Sequence, residues 1–167
     1  WNSADKASGT TLSASDLRAN NTGGSVRSVF GAVSGKYYWE YKFPAGTGQM
    51  VGVATSSANI DTWPGADSGG WAWERATGNI YAGGGVIYSG TAGATTVGVL
   101  LDATAKTVQF RRNNVNIGAP ISLTGIQFFA ICGYYDDVTA NFGATAFTYA
   151  VPAGYEAGFG PAVGAPA

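Results

Sequence analysis

Lys36-Tyr37-Tyr38-Trp39-Glu40-Tyr41-Lys42-Phe43 decides the fold class. Tyr37, Trp39, Tyr41 and Phe43 fall on one face, and Lys36, Tyr38, Glu40 and Lys42 on the other. Successive side chains of an extended chain point to opposite sides. The stretch therefore reads as a β-strand with one buried face and one wet or partly covered face.

The chain on either side repeats the pattern. Pro44 to Gly48 is a turn, and Met50 to Thr55 is a short apolar strand. Thr96 to Leu101 (TVGVLL) reads as a core strand, followed by the polar turn Asp102 to Lys106. Thr107 to Arg111 alternates with Val108 and Phe110 inward. Asn113-Asn114 tolerates positive φ and fits a tight hairpin turn, which leaves Val115 to Ile117 as the return strand. Ile126 to Gly133 is a further buried strand, Tyr134 to Asp137 a turn, and Val138, Ala140 and Phe142 face inward beyond it. Short strands at this spacing, with turn signals between them, predict an all-β sandwich. Trp39, Trp71 and Trp73 lie on strand patterns and are expected in or near the core. Glycine, at 26 residues, interrupts every candidate helical stretch. One domain is expected over residues 1–159, with a flexible Gly/Pro/Ala tail over 160–167.

Composition narrows the function. Charged residues make up 11% of the chain, against about 25% in an average domain. The net charge of -1 supplies no basic field for a phosphate backbone, so nucleic acid is not an expected partner. No stretch approaches the roughly 20 apolar residues of a membrane span, and no secretory signal is visible. The chain starts at Trp1, which reads as a processed product or a piece excised from a longer chain.

No histidine is present, and Cys132 is the single cysteine. Nucleophilic schemes built on an imidazole base are excluded, as are zinc clusters and a disulfide framework. Cys132 reads as a small buried hydrophobe. Neither a P-loop nor a dinucleotide fingerprint occurs, and Gly83-Gly84-Gly85 reads as a hairpin or bulge. A carboxylate pair is the one remaining enzymatic option. Glu40 and Glu74 are the candidates, and no motif brings them together. Asp136 and Asp137 with Asp61 and Asp67 have the oxygens for calcium, but solvated turns are the simpler reading. No cofactor, metal or catalytic residue is expected.

Several segments in series resemble the SPRY domain family. Gly35 to Phe43 (GKYYWEYKF) is similar to its Gly-Lys-x-Tyr-Trp-Glu strand, and Val51 to Thr55 to the next one. Gly70 to Gly84 (GWAWERATGNIYAGG) resembles the Gly-Trp-rich stretch, and Thr96 to Asn114 the Gly-Val-x-Leu-Asp hairpin. Asp137 to Gly143 and Phe147 to Ala157 resemble the closing elements. Asn113-Asn114 departs from the family's usual Asn-Gly. The low charge, and the Trp1-Asn2 to Lys6 start, resemble bacterial and phage members.

The resemblance implies a bent sandwich of two antiparallel sheets with a concanavalin-like jelly-roll outline. It implies no catalysis, and recognition of a protein or peptide by loops at one end. The long polar loop Ser56 to Gly69 lies on the ligand face of such domains. It carries Asp61 and Trp63, and Trp63 is either a lid on the core or an exposed anchor. Members that grip peptides also use the positions of Thr47 and of Tyr134, Tyr135 and Asp136. The expected function is a receptor-binding or adhesion module of a phage virion or tail, or of a bacterial surface protein. Its partner would be a host-surface protein, peptide or glycan, and its location the virion or the cell surface. Two alternatives stay open. One is a virion decoration domain that touches only neighbouring subunits. The other is a lectin-like domain that stacks sugars on Trp63, Tyr134 and Tyr135, with Asp136 as acceptor.

Overall fold

A computed structural model describes residues 1–44 and 46–161. The tail expected over 160–167 lies, beyond Pro161, outside the described residues. Strands in chain order are β1 (Thr11–Ser13), β2 (Arg18–Ala32), β3 (Lys36–Lys42), β4 (Gln49–Ala54), β5 (Gly70–Glu74) and β6 (Ile80–Ala82). They continue with β7 (Gly85–Tyr88), β8 (Thr96–Asp102), β9 (Thr107–Arg112), β10 (Val115–Ser122), β11 (Phe128–Asn141) and β12 (Glu156–Ala157). No helix occurs among the described residues, and so none is long and apolar enough to cross a membrane.

Hydrogen bonds link the strands in the order β10-β9-β8-β3-β11-β4-β5-β6-β7. β2 runs along the opposite edge of β11 and carries β1. The pivot is β11. Phe129 to Tyr134 pair with β4, whereas Thr139 to Asn141 pair with β3. One long strand thus belongs to both halves of the sandwich, and the sheet folds over along it. The two halves of the sandwich are joined into one hydrogen-bonded sheet through β11, whose ladder with β2 runs from Phe128 to Thr139 across two register shifts. Pairing is antiparallel except for β12, which lies parallel to β3.

Alternation places the core between the halves. Trp39 and Tyr41 of β3, Val97, Val99 and Leu101 of β8, and Val108 and Phe110 of β9 come from one side. Val51 and Val53 of β4, Trp71 and Trp73 of β5, and Ile80 of β6 come from the other. Cys132 joins the same cluster, fully buried, and burial raises its thiol well above the usual range. The hairpin of β9 and β10 turns on Asn113 and Asn114, with φ of 46° and 70°. A type I′ turn needs such values and Asn tolerates them.

Three expectations need correction. β2 has no counterpart in the strand reading, because its alternation breaks. Between Thr22 and Ser25 it carries one more residue than β11, so Ala19 and Val26 both reach the core despite opposite parity. β11 begins at Phe128, and Ile126 is 82% exposed in the bend after Gly125. β10 continues past Ile117 to Ser122 across a register shift. The second face of β3 is partly covered, one of the two states expected of it: Tyr38 and Glu40 are buried, while Lys36 and Lys42 are exposed. The Glu40 carboxylate accepts hydrogen bonds from the Thr148 N–H at 2.7 Å, the Tyr149 N–H at 2.9 Å and the Tyr38 hydroxyl at 2.9 Å. Burial and this carboxylate raise the Tyr38 phenol well above its usual range.

Candidate functional site

With Val51 and Trp73 turned into the core, their neighbours Met50 and Glu74 point outward, paired directly across β4 and β5. Tyr81 of β6 stands on the same outer face, opposite Ala72. Trp63 from the 55–69 loop and Tyr134 from β11 wall this patch. The five side chains line an open pocket of about 250 Å³.

The loop that brings Trp63 is pinned along its length. Asp67 caps its own loop, accepting from the Asn59 N–H at 2.7 Å and the Gly69 N–H at 2.8 Å. The Ser25 N–H donates to the Ile60 carbonyl at 2.8 Å. Arg27 is buried, pairs with Asp5 through two nitrogens at 2.7 and 2.9 Å, and donates from Nη1 to the Thr55 and Ala58 carbonyls. Trp63 ends half-buried, edge-to-face on Tyr81 with 5.4 Å between centroids. The ring therefore packs on the sheet's outer face and lines a surface pocket.

Tyr134 to Asp137 do not form a turn. They are the middle of β11, opposite the extra residue of β2, and the ladder with β2 continues through Tyr135, Asp136 and Asp137. The residue composition signals a turn, but β2 pairs with Tyr135 to Asp137 on one edge and Gln49 of β4 with Tyr134 on the other, which keeps the strand running. Tyr134 (82°) and Asp136 (66°) take positive φ, a costly region for an aromatic residue. Dedicated hydrogen bonds hold the segment there. Asp136 Oδ2 accepts from the Thr47 N–H at 3.1 Å and the Gly48 N–H at 3.2 Å. The Tyr135 N–H donates to the Gly48 carbonyl at 3.0 Å. Gly46 is required here, since a Cβ would sit 2.2 Å from that carboxylate. Tyr134 and Tyr135 lie 4.5 Å apart, and Tyr135 is 48% exposed. Arg18, with Asn20, holds the Asp137 carboxyl below its usual range.

Of the residues singled out in sequence, Trp63 and Tyr134 line one pocket, and Thr47, Tyr135 and Asp136 form the strained rim beside Tyr134. Asp61 is exposed and does not line the pocket. Met50, Glu74 and Tyr81 were not foreseen as pocket walls. Strand parity marks them as outward, but only the β4–β5–β6 register makes them neighbours. Among the described residues no cluster of acidic, Cys or His side chains is arranged for a metal ion. Glu40 and Glu74 do not share a site: Glu40 is buried with its carboxylate bound to Tyr38, Thr148 and Tyr149, whereas Glu74 lines the pocket and Glu40 is not among its walls.

The chain is thus a folded-over jelly-roll sandwich with a loop-walled pocket on one outer face. The SPRY domain family model matches residues 36–145. The chain belongs to the SPRY domain family, whose members are in general non-catalytic protein-interaction modules that bind proteins or peptides. Solved structures share the fold at low identity. The TRIM65 PSpry domain is 12% identical with a TM-score of 0.68, covering 84% of this chain and 87% of that one. The SPRY domain of human HERC1 is 20% identical with a TM-score of 0.61, covering 81% and 93%. Stonustoxin is 16% identical with a TM-score of 0.65, and the match covers 84% of this chain but 26% of the toxin chain. No curated protein matches the sequence.

Proposed function

We propose that residues 1–159 form one non-catalytic binding domain, and that the pocket of Met50, Trp63, Glu74, Tyr81 and Tyr134 holds a segment of a protein partner. The carrying observation is convergence. Three stretches distant in sequence, at Gly46 to Met50, at Trp63 and at Tyr134 to Asp136, meet at one pocket. Two residues there keep positive φ under dedicated hydrogen bonds. Strain maintained in this way is a mark of a working surface. Thr47 and Tyr135 form the exposed rim along which the segment lies, and Asp61 sits on the same loop as Trp63. The partner we assign is a protein on a host cell surface, with the domain displayed on a virion or bacterial surface. The low charge and the Gly/Ala/Thr-rich composition support that setting.

The glycan reading is the alternative, in which a sugar would stack on Trp63 and Tyr134; of the acceptors it would use, Asp136 Oδ2 already serves two backbone N–H groups. Binding of the protein to a combined peptide and glycan array, with Trp63→Ala and Tyr135→Ala variants, decides between them. Peptide spots are expected to bind and to lose about tenfold or more in each variant, as for an aromatic hot spot. Binding to glycans alone, or binding indifferent to both variants, overturns the proposal. Absence of binding together with assembly onto a virion supports the decoration role instead.

A further inference from the structure

We infer that this pocket selects the ammonium group of a lysine side chain on the partner; the inference rests on the pocket being the ligand site. Its walls are three aromatic rings, one thioether and one carboxylate, within about 250 Å³. Aromatic faces attract cations through their quadrupole, most strongly where water is thinned out. Glu74 supplies the countercharge. No Lys or Arg lines the pocket, so no cation of the chain's own is among its walls. Arg75, next in sequence, is engaged elsewhere: Nε donates to the Ala94 carbonyl at 3.2 Å, Nη1 to Gly46 and Gln49, and the guanidinium lies over the Phe43 ring.

The same geometry favours an ammonium over a guanidinium. Glu74 Oε2 already accepts from the Thr77 and Tyr81 hydroxyls. An arginine fork wants both carboxylate oxygens in one plane, whereas a compact ammonium is satisfied by one oxygen and the surrounding rings.

The test titrates the labelled protein with N-acetyl-lysine methylamide, its trimethyl-lysine analogue and its neutral norleucine analogue. The Trp63 indole signal is followed by NMR, in wild type and in Glu74→Gln, which keeps an acceptor for Thr77 and Tyr81. Both cationic probes are expected to bind at least about fivefold tighter than norleucine. The margin should shrink in Glu74→Gln and in high salt. Trimethyl-lysine binding tighter than lysine assigns the recognition chiefly to the rings, and the reverse order assigns it to Glu74. Equal response to lysine and norleucine overturns the cation inference while leaving the pocket as the ligand site. Silence of Trp63 towards all three probes overturns it too. Failure of Trp63→Ala to weaken array binding removes the ligand site itself.

Discussion

Removing the Asp5 carboxylate tests whether the Arg27 anchor positions the Trp63 loop. The Arg27 side chain is 9% exposed and Asp5 is 27% exposed. Asp5→Ala leaves a buried guanidinium without its countercharge, a change that typically costs about 3–5 kcal/mol. Two features moderate it. Water reaches the Asp5 side, and Nη1 keeps the Thr55 and Ala58 carbonyls. The expected loss is therefore about 2–3 kcal/mol. With roughly 2.1 cal/mol/K of unfolding entropy per residue, that lowers Tm by ~6–9 °C. Arg27→Met should destabilise comparably, because it strands those two carbonyls. The double variant Asp5→Ala/Arg27→Met should lose clearly less than the sum, since the orphaned charge is gone. Urea unfolding followed by circular dichroism gives all three values. The reasoning fails if Asp5→Ala costs under about 1 kcal/mol, or if the double variant is additive. It also fails if the Trp63 indole resonance is unmoved in Arg27→Met.

Two further outcomes follow from local geometry. The folded pKa of Asp137 lies below its free value of 3.8, so its pairing with exposed Arg18 stabilises the fold above about pH 4 and the contribution is lost as pH falls through the lowered value. Asp137→Asn should lower Tm at neutral pH, with a gap that shrinks as pH falls through the lowered value and narrows in high salt; an equal gap across the range refutes the assignment. Gly52→Ala should be severe. A Cβ there would lie 1.9 Å from the Trp71 carbonyl oxygen, so the β4–β5 ladder must open at a cost of about 3 kcal/mol. An unchanged urea midpoint would contradict the close approach.

What the sequence shows depends on which interactions are local. The alternation at 36–43 and 107–111, and the Asn113-Asn114 turn, were legible because a strand's two faces and a turn's φ are set within a few residues. Burial of Trp39, Trp71 and Trp73 followed for the same reason. β2 was not legible, because its bulges break the period two that identifies strands. The Tyr134 to Asp137 segment was misread because Tyr-Tyr-Asp-Asp carries turn chemistry, while the neighbouring strands that overrule it come from residues 18–32 and 49–54. The groups that cover Glu40 were equally hidden, since Thr148 and Tyr149 lie more than a hundred residues from it.

By itself, then, the sequence determined an all-β chain, its recurring family segments, a core rich in aromatic rings, and the absence of the imidazole on which most side-chain catalysis depends. Trp63 and Tyr134 were marked as binding residues one at a time. Only the tertiary structure decided that they share a pocket with Met50, Glu74 and Tyr81. Pairing register and sheet folding are settled by contacts between distant segments, and no local pattern of side chains encodes the distance between two strands' outer faces.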